Sequence, residues 1–105
     1  ATLLLVPAAF TVPTGEAHWH TLLRARAIEA GAFVIACAQV GQHADGRTTY
    51  GHSLVVDPWG TTLLDMGDVR EVTVVDIDLD QVAAVLARIP AIANRRPVPP
   101  VVTIT

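Results

Sequence analysis

The stretch VPAAFTVPTGEAHWHTLLRARAIEAGAFVIACAQVG, residues 6–40, decides the architecture. It continues an all-apolar run, Thr2–Val6 (TLLLV), which is halted by Pro7 and suits a strand buried on both faces. Residues 7–14 (PAAFTVPT) hold two prolines and two threonines and read as a loop. Thr14 is placed to cap a helix opening at Gly15, with Glu16 in the favourable first turn and Gly31 ending the helix after about Ala30. Trp19, Leu22, Leu23 and Ala30 share one stripe at helical spacing. Arg26 falls in the same stripe, so a buried pairing with Glu29 is expected. Ala32–Val40 (AFVIACAQV) is a second apolar run and a second buried strand. Strand, helix and strand with short connections predict a right-handed βαβ unit with parallel strands.

Working outward, residues 41–52 (GQHADGRTTYGH) read as a polar loop. Ser53–Met66 reads as a hairpin around Asp57-Pro58-Trp59-Gly60, with the residue preferences of a type I turn. Glu71–Ile77 predicts a further strand. Asp78 and Gln81 form a capping-box pair for a last helix whose stripe is Val82, Val85, Leu86 and Ile89, ending at Pro90. The tail NRRPVPPVVTIT is proline-rich and extended. The order β-α-β-β-β-α gives a layered α/β fold.

Hydrophobic residues make up 51% of the 105 positions and charged residues 16%, against roughly a quarter charged in average globular chains. So short a chain needs more polar cover, not less. The surplus, with an apolar run beginning directly after Ala1, implies further polypeptide or a partner subunit over the apolar face. No apolar run reaches membrane-spanning length and no basic leader precedes one, which leads us to expect a soluble, cytoplasmic protein. A net charge of −3 without a Lys/Arg stripe excludes an ordinary nucleic-acid surface. One cysteine excludes an internal disulfide and fits a reducing compartment.

Cys37 is the obvious nucleophile, but it sits between Ala36 and Ala38 in an apolar run with no titratable neighbour closer than His43. It reads as a small buried core residue. His18 and His20 are two apart on a helix and point in different directions, and neither CxxC nor HExxH is present, so no metal site is read. His52, Ser53 and Asp57 carry the letters of a hydrolytic triad but lie along one strand, where neighbours alternate faces. GQHADG lacks the Lys-Ser/Thr of a phosphate-binding loop. From the residues alone, the chain is an incomplete α/β domain.

Four phrases in order, VPAAFTVPTGEAHWHTLLRARAIE, FVIACAQVG, YGHSLVVDPWG and DIDL…RIP…NRRP, resemble the C-terminal half of the nitrilase superfamily, the carbon–nitrogen hydrolases. The branch they most resemble contains deaminated glutathione amidase and omega-amidase. The resemblance assigns residues 1–97 to that half-domain and leaves 98–105 as a tail. It implies a four-layer α-β-β-α sandwich. The implied chemistry is hydrolysis of a small-molecule amide through a Cys thioester, with a Glu base and an oxyanion-binding Lys, and no cofactor. All three catalytic positions would lie upstream, so no catalytic residue is assigned here and these residues alone should not turn over substrate. Cys37 matches a small residue of the family. Ala9, Phe10, Thr11, His18 and Trp19 would line the substrate pocket. The implied partners are a small amide, a second subunit or the upstream half, and neither nucleic acid nor membrane. The competing expectation is a naturally short, non-catalytic assembly or binding module of the same fold.

Overall fold

The computed structural model describes residues 1–104. The chain builds β1 (Leu3–Leu5), then a continuous helical run made of α1 (Val12–Thr14), a π-helical turn over Gly15–Trp19 and α2 (His20–Ala30). There follow β2 (Phe33–Ala36), β3 (Val40–Gln42), β4 (Thr48–Tyr50), β5 (Leu54–Val56), β6 (Thr62–Asp65) and α3 (Asp80–Arg88). One four-stranded sheet has the order β1-β2-β5-β6, and β3 and β4 form a separate antiparallel pair. β1 and β2 are parallel, with Leu4 opposite Val34, as a strand–helix–strand crossover requires. β2–β5 and β5–β6 are antiparallel.

Helix formation begins earlier than Thr14. Thr11 is extended (φ −67°, ψ 158°) and precedes the first turn, where Pro13 loses nothing because first-turn N–H groups have no helical partner. The Thr14 hydroxyl donates back to the Thr11 carbonyl at 3.2 Å and caps nothing. Gly31 ends α2 in the left-handed conformation (φ 58°) and returns its N–H to Ala27 and Ile28.

The buried row is Trp19, Leu23 and Ala27, packed on Val34, Ala36, Leu54 and Val56. Leu22 and Arg26 turn to solvent, so the expected buried Arg26–Glu29 pair is an exposed one, at 3.3 Å with both side chains about two-thirds exposed. The small Ala27 lets the helix approach the sheet along the i, i+4 row, and solvent spares the guanidinium its desolvation.

β2 stops at Ala36. Cys37 is exposed, contrary to the core position expected for it. Alternation along the strand sends Val34 and Ala36 toward α2, and Ile35 and Cys37 toward the opposite face. There Cys37 borders a groove with Ile35, Ser53, Val55, Leu64 and Met66, a groove whose lining holds no charged side chain.

Three further expectations fail. The polar loop 41–52 contains the β3–β4 hairpin, closed around Asp45-Gly46 with His43 N–H and Arg47 C=O paired at 2.8 Å. Among the described residues, 71–77 pair with no strand, and Val72 and Val74 are almost fully exposed. The hairpin at Asp57–Gly60 forms as expected, Gly60 N–H donating to Asp57 C=O at 2.9 Å. Asp57 Oδ1 accepts the Trp59 and Thr61 N–H groups. Gln81 does not fold back as a capping box. Its amide donates to Asp57 Oδ2 at 2.9 Å, which ties α3 to the hairpin turn, while Arg88 covers Trp59 at 4.1 Å.

The result is a slab 18 Å thick with a radius of gyration of 17.3 Å, where a compact chain of this length measures about 13 Å. α2 covers one face of the sheet, and Leu3 and Leu5 on the other are open to solvent.

Candidate functional site

The carboxyl end of β1 runs into the loop 8–11, next to its parallel neighbour. This is the position where α/β sheets place ligands. The loop is fastened on both sides. Ala8 N–H donates to Cys37 C=O, Gln39 N–H to Ala8 C=O, and Tyr50 N–H to Phe10 C=O, at 2.9–3.0 Å. Thr11 bridges Thr49. The candidate positions fall differently along this segment. Ala9 is exposed, Phe10 and Thr11 are half-buried, His18 is exposed and Trp19 is buried. Trp19 therefore stands behind Phe10 (ring centroids 4.9 Å apart, tilted 55°). Phe10 in turn borders a shallow cleft with Val6, Leu22, Leu23 and Arg26.

Close to Trp19 lies a polar cluster built from three separate segments. His20, in the first turn of α2, places Nε2 at 2.7 Å from Asp65 Oδ2. His52 places Nδ1 at 2.9 Å from Asp65 Oδ1, which also accepts the Gly67 N–H at 2.9 Å. His52 is the one described non-glycine residue with positive φ (56°). It is held there by its N–H donating to Gly67 C=O at 2.7 Å and by its C=O accepting Trp19 Nε1–H at 2.7 Å. The Tyr50 ring stacks on the imidazole at 4.0 Å. Burial pushes the Asp65 carboxyl up, but hydrogen bonds from His20, the Gly67 N–H and His52 together outweigh it and hold the group below the ordinary carboxylate range.

His18 and His20 indeed diverge, since His20 meets His52 and not His18. Nor do His52, Ser53 and Asp57 meet. Ser53 Oγ accepts the Ala38 N–H, Asp57 closes its turn, and Asp65 is the acid that His52 faces. No motif in the sequence marks Asp65. Counting outward from the turn at 57–60 along the two hairpin strands would have set it near His52.

A family profile described as Carbon-nitrogen hydrolase matches residues 1–102. Deaminated glutathione amidase from Dictyostelium discoideum is 48% identical over 97 residues, covering 91% of this chain and 33% of that protein. The crystal structure of the Caenorhabditis elegans NitFhit protein superposes with a TM-score of 0.80 at 46% identity, over 91% of this chain and 23% of that one. Saccharomyces cerevisiae Nit3, of the nitrilase superfamily, superposes with a TM-score of 0.83 at 31% identity, over 91% of this chain and 35% of its own. The chain thus spans about a third of the length of the curated relatives it matches. With the match running from residue 1 to residue 102, the chain belongs to the carbon–nitrogen hydrolase family.

Proposed function

We propose that this chain is the C-terminal part of an amidase that cleaves a small-molecule amide, deaminated glutathione being the first substrate to try. The observation that carries the reading is the family match over residues 1–102. The relatives named deaminated glutathione amidase support that choice of substrate. On this reading a Glu base, a Lys and a nucleophilic Cys come from polypeptide upstream of residue 1. The sequence contains no lysine at all, so an ammonium at the oxyanion has to come from elsewhere.

In the reaction, the Cys thiolate adds to the amide carbonyl and the Lys ammonium stabilises the oxyanion. Collapse of that adduct breaks the C–N bond, and the amine leaves with the proton taken up by Glu. Water then hydrolyses the thioester to the free acid. This chain contributes pocket wall: the small Ala9 leaves room beside the acyl group, Phe10 and Thr11 bound it, Trp19 braces Phe10 from behind, and His18 stands at the outer rim. The open sheet face carrying Leu3 and Leu5 receives a second sheet, completing the four-layer sandwich. Homo-oligomer formation and a cytoplasmic location complete the reading.

The test is to purify the intact gene product, supply deaminated glutathione and simple primary amides, and follow release of amine or ammonia. Mass spectrometry would locate any acyl adduct. Turnover with the adduct on a cysteine outside residues 1–105 supports the reading. No hydrolysis of any amide, or an adduct on Cys37, overturns it.

A further inference from the structure

We propose that His20, His52 and Asp65 form a binding site for a divalent transition-metal ion of the zinc type, bridging α2 and the β5–β6 hairpin. The inference is independent of the amidase reading, since it rests on this chain's own side chains. Their three donor atoms lie within 4.8 Å of one another, with His–carboxylate separations of 2.7 and 2.9 Å. Donors bound tetrahedrally to zinc at about 2.0–2.2 Å stand roughly 3.3 Å apart. His20 Nε2 faces Asp65 Oδ2 and His52 Nδ1 faces Oδ1. With one carboxylate oxygen as ligand, the three donors, no more than 4.8 Å apart, shift by up to about 1.5 Å to reach that spacing as the ion replaces the shared protons. That movement is within the reach of χ rotations. Two imidazoles and one carboxylate are a donor set suited to zinc and its neighbours.

The surroundings are arranged as a support for such ligands. Gly67 N–H holds Asp65 Oδ1, the outer contact that orients a ligating carboxylate. Tyr50 stacking fixes the plane of the His52 ring. The left-handed backbone of His52, which costs of order 1–3 kcal/mol in a non-glycine residue, is pinned by Trp19 and Gly67 and aims Nδ1 at Asp65. Nδ1 of His20 and Nε2 of His52 have no partner among the described residues. Each ring is therefore free to move its proton to the far nitrogen when the near one binds metal. The side chains are a quarter to a third exposed, which leaves the fourth coordination position to water.

The alternative is a hydrogen-bonded clamp without metal affinity. The experiment takes the intact gene product, strips it with chelator, and titrates it with zinc by calorimetry and with cobalt(II) by visible absorption. Zinc-induced shifts of the histidine ring nitrogens are read by NMR on the unaltered protein. The proposal expects saturable one-to-one binding, tetrahedral cobalt bands and perturbed rings at His20 and His52. His20→Gln and His52→Gln, which keep a hydrogen-bond donor and are checked for folding by circular dichroism, should bind about tenfold or more weakly. His43→Gln, outside both sites, should bind as before. Absence of binding, or binding that leaves the His20 and His52 rings unshifted and survives both Gln variants, overturns it.

Discussion

Trp19 Nε1–H donates a 2.7 Å hydrogen bond to the carbonyl of His52, 33 positions away. One buried indole thereby joins the Phe10 loop, the helical run and the strained start of the β5–β6 hairpin. Trp19→Phe keeps most of the ring volume but leaves that carbonyl without its donor, which costs about 1–3 kcal/mol. Trp19→Ala adds a cavity and should cost about 3–5 kcal/mol. Denaturation midpoints of the intact protein measure both. A Phe variant as stable as the parent would show that the hydrogen bond contributes nothing.

His52 carries its positive φ without the freedom of glycine. His52→Gly and His52→Ala both remove the imidazole, but only alanine keeps the backbone strain. The glycine variant is expected to be the more stable of the two by about 1 kcal/mol. Equal stabilities would mean that the backbone relaxes when the ring is gone.

Gly15 sits in the π-helical turn with the Tyr50 ring directly against it, so an added Cβ would overlap the ring. Its φ is ordinary (−62°), which makes the constraint steric rather than conformational. Gly15→Ala should cost about 1–3 kcal/mol by overpacking and much less in a Tyr50→Ala background. A double-mutant cycle reads the coupling, and strictly additive effects would exclude the contact as its source.

The depressed Asp65 carboxyl has a directional consequence. The folded state favours the ionised form more than the unfolded chain does, whose value is about 3.9. The resulting stability is complete above about pH 5 and is lost as pH falls through the lower, folded-state value. In metal-free buffer, Asp65→Asn should be less stable than the parent at neutral pH, with the two converging in acid. A gap that stays constant with pH would remove Asp65 as its cause.

Arg26 and Glu29, paired on the solvent side of α2, should matter little. Glu29→Gln is expected to change stability by under about 0.5 kcal/mol and to lose even that in high salt. A loss of several kcal/mol would indicate that the pair is buried in the assembled protein.

Local chemistry made much of the fold legible. Pro7, Gly31 and the Asp57–Gly60 turn end or reverse the chain through backbone conformations their residues prefer, and two apolar runs flanking one helix with short connections make a parallel pair. The resemblance carried by the PAAFT, HW and GHS segments was legible for the same reason, being local in sequence. Other features were decided only by tertiary packing. Helical periodicity admits two neighbouring rows, and contact with the sheet selected Trp19, Leu23 and Ala27 over the row holding Arg26. An apolar strand does not declare which of its faces will be covered, so Cys37 looked like core and lies on the open side. The meeting of His20, His52 and Asp65 depends on hairpin register, helix placement and a left-handed residue at once. Such long-range coincidence has no local signal, because each residue taken alone is compatible with an ordinary solvated surface.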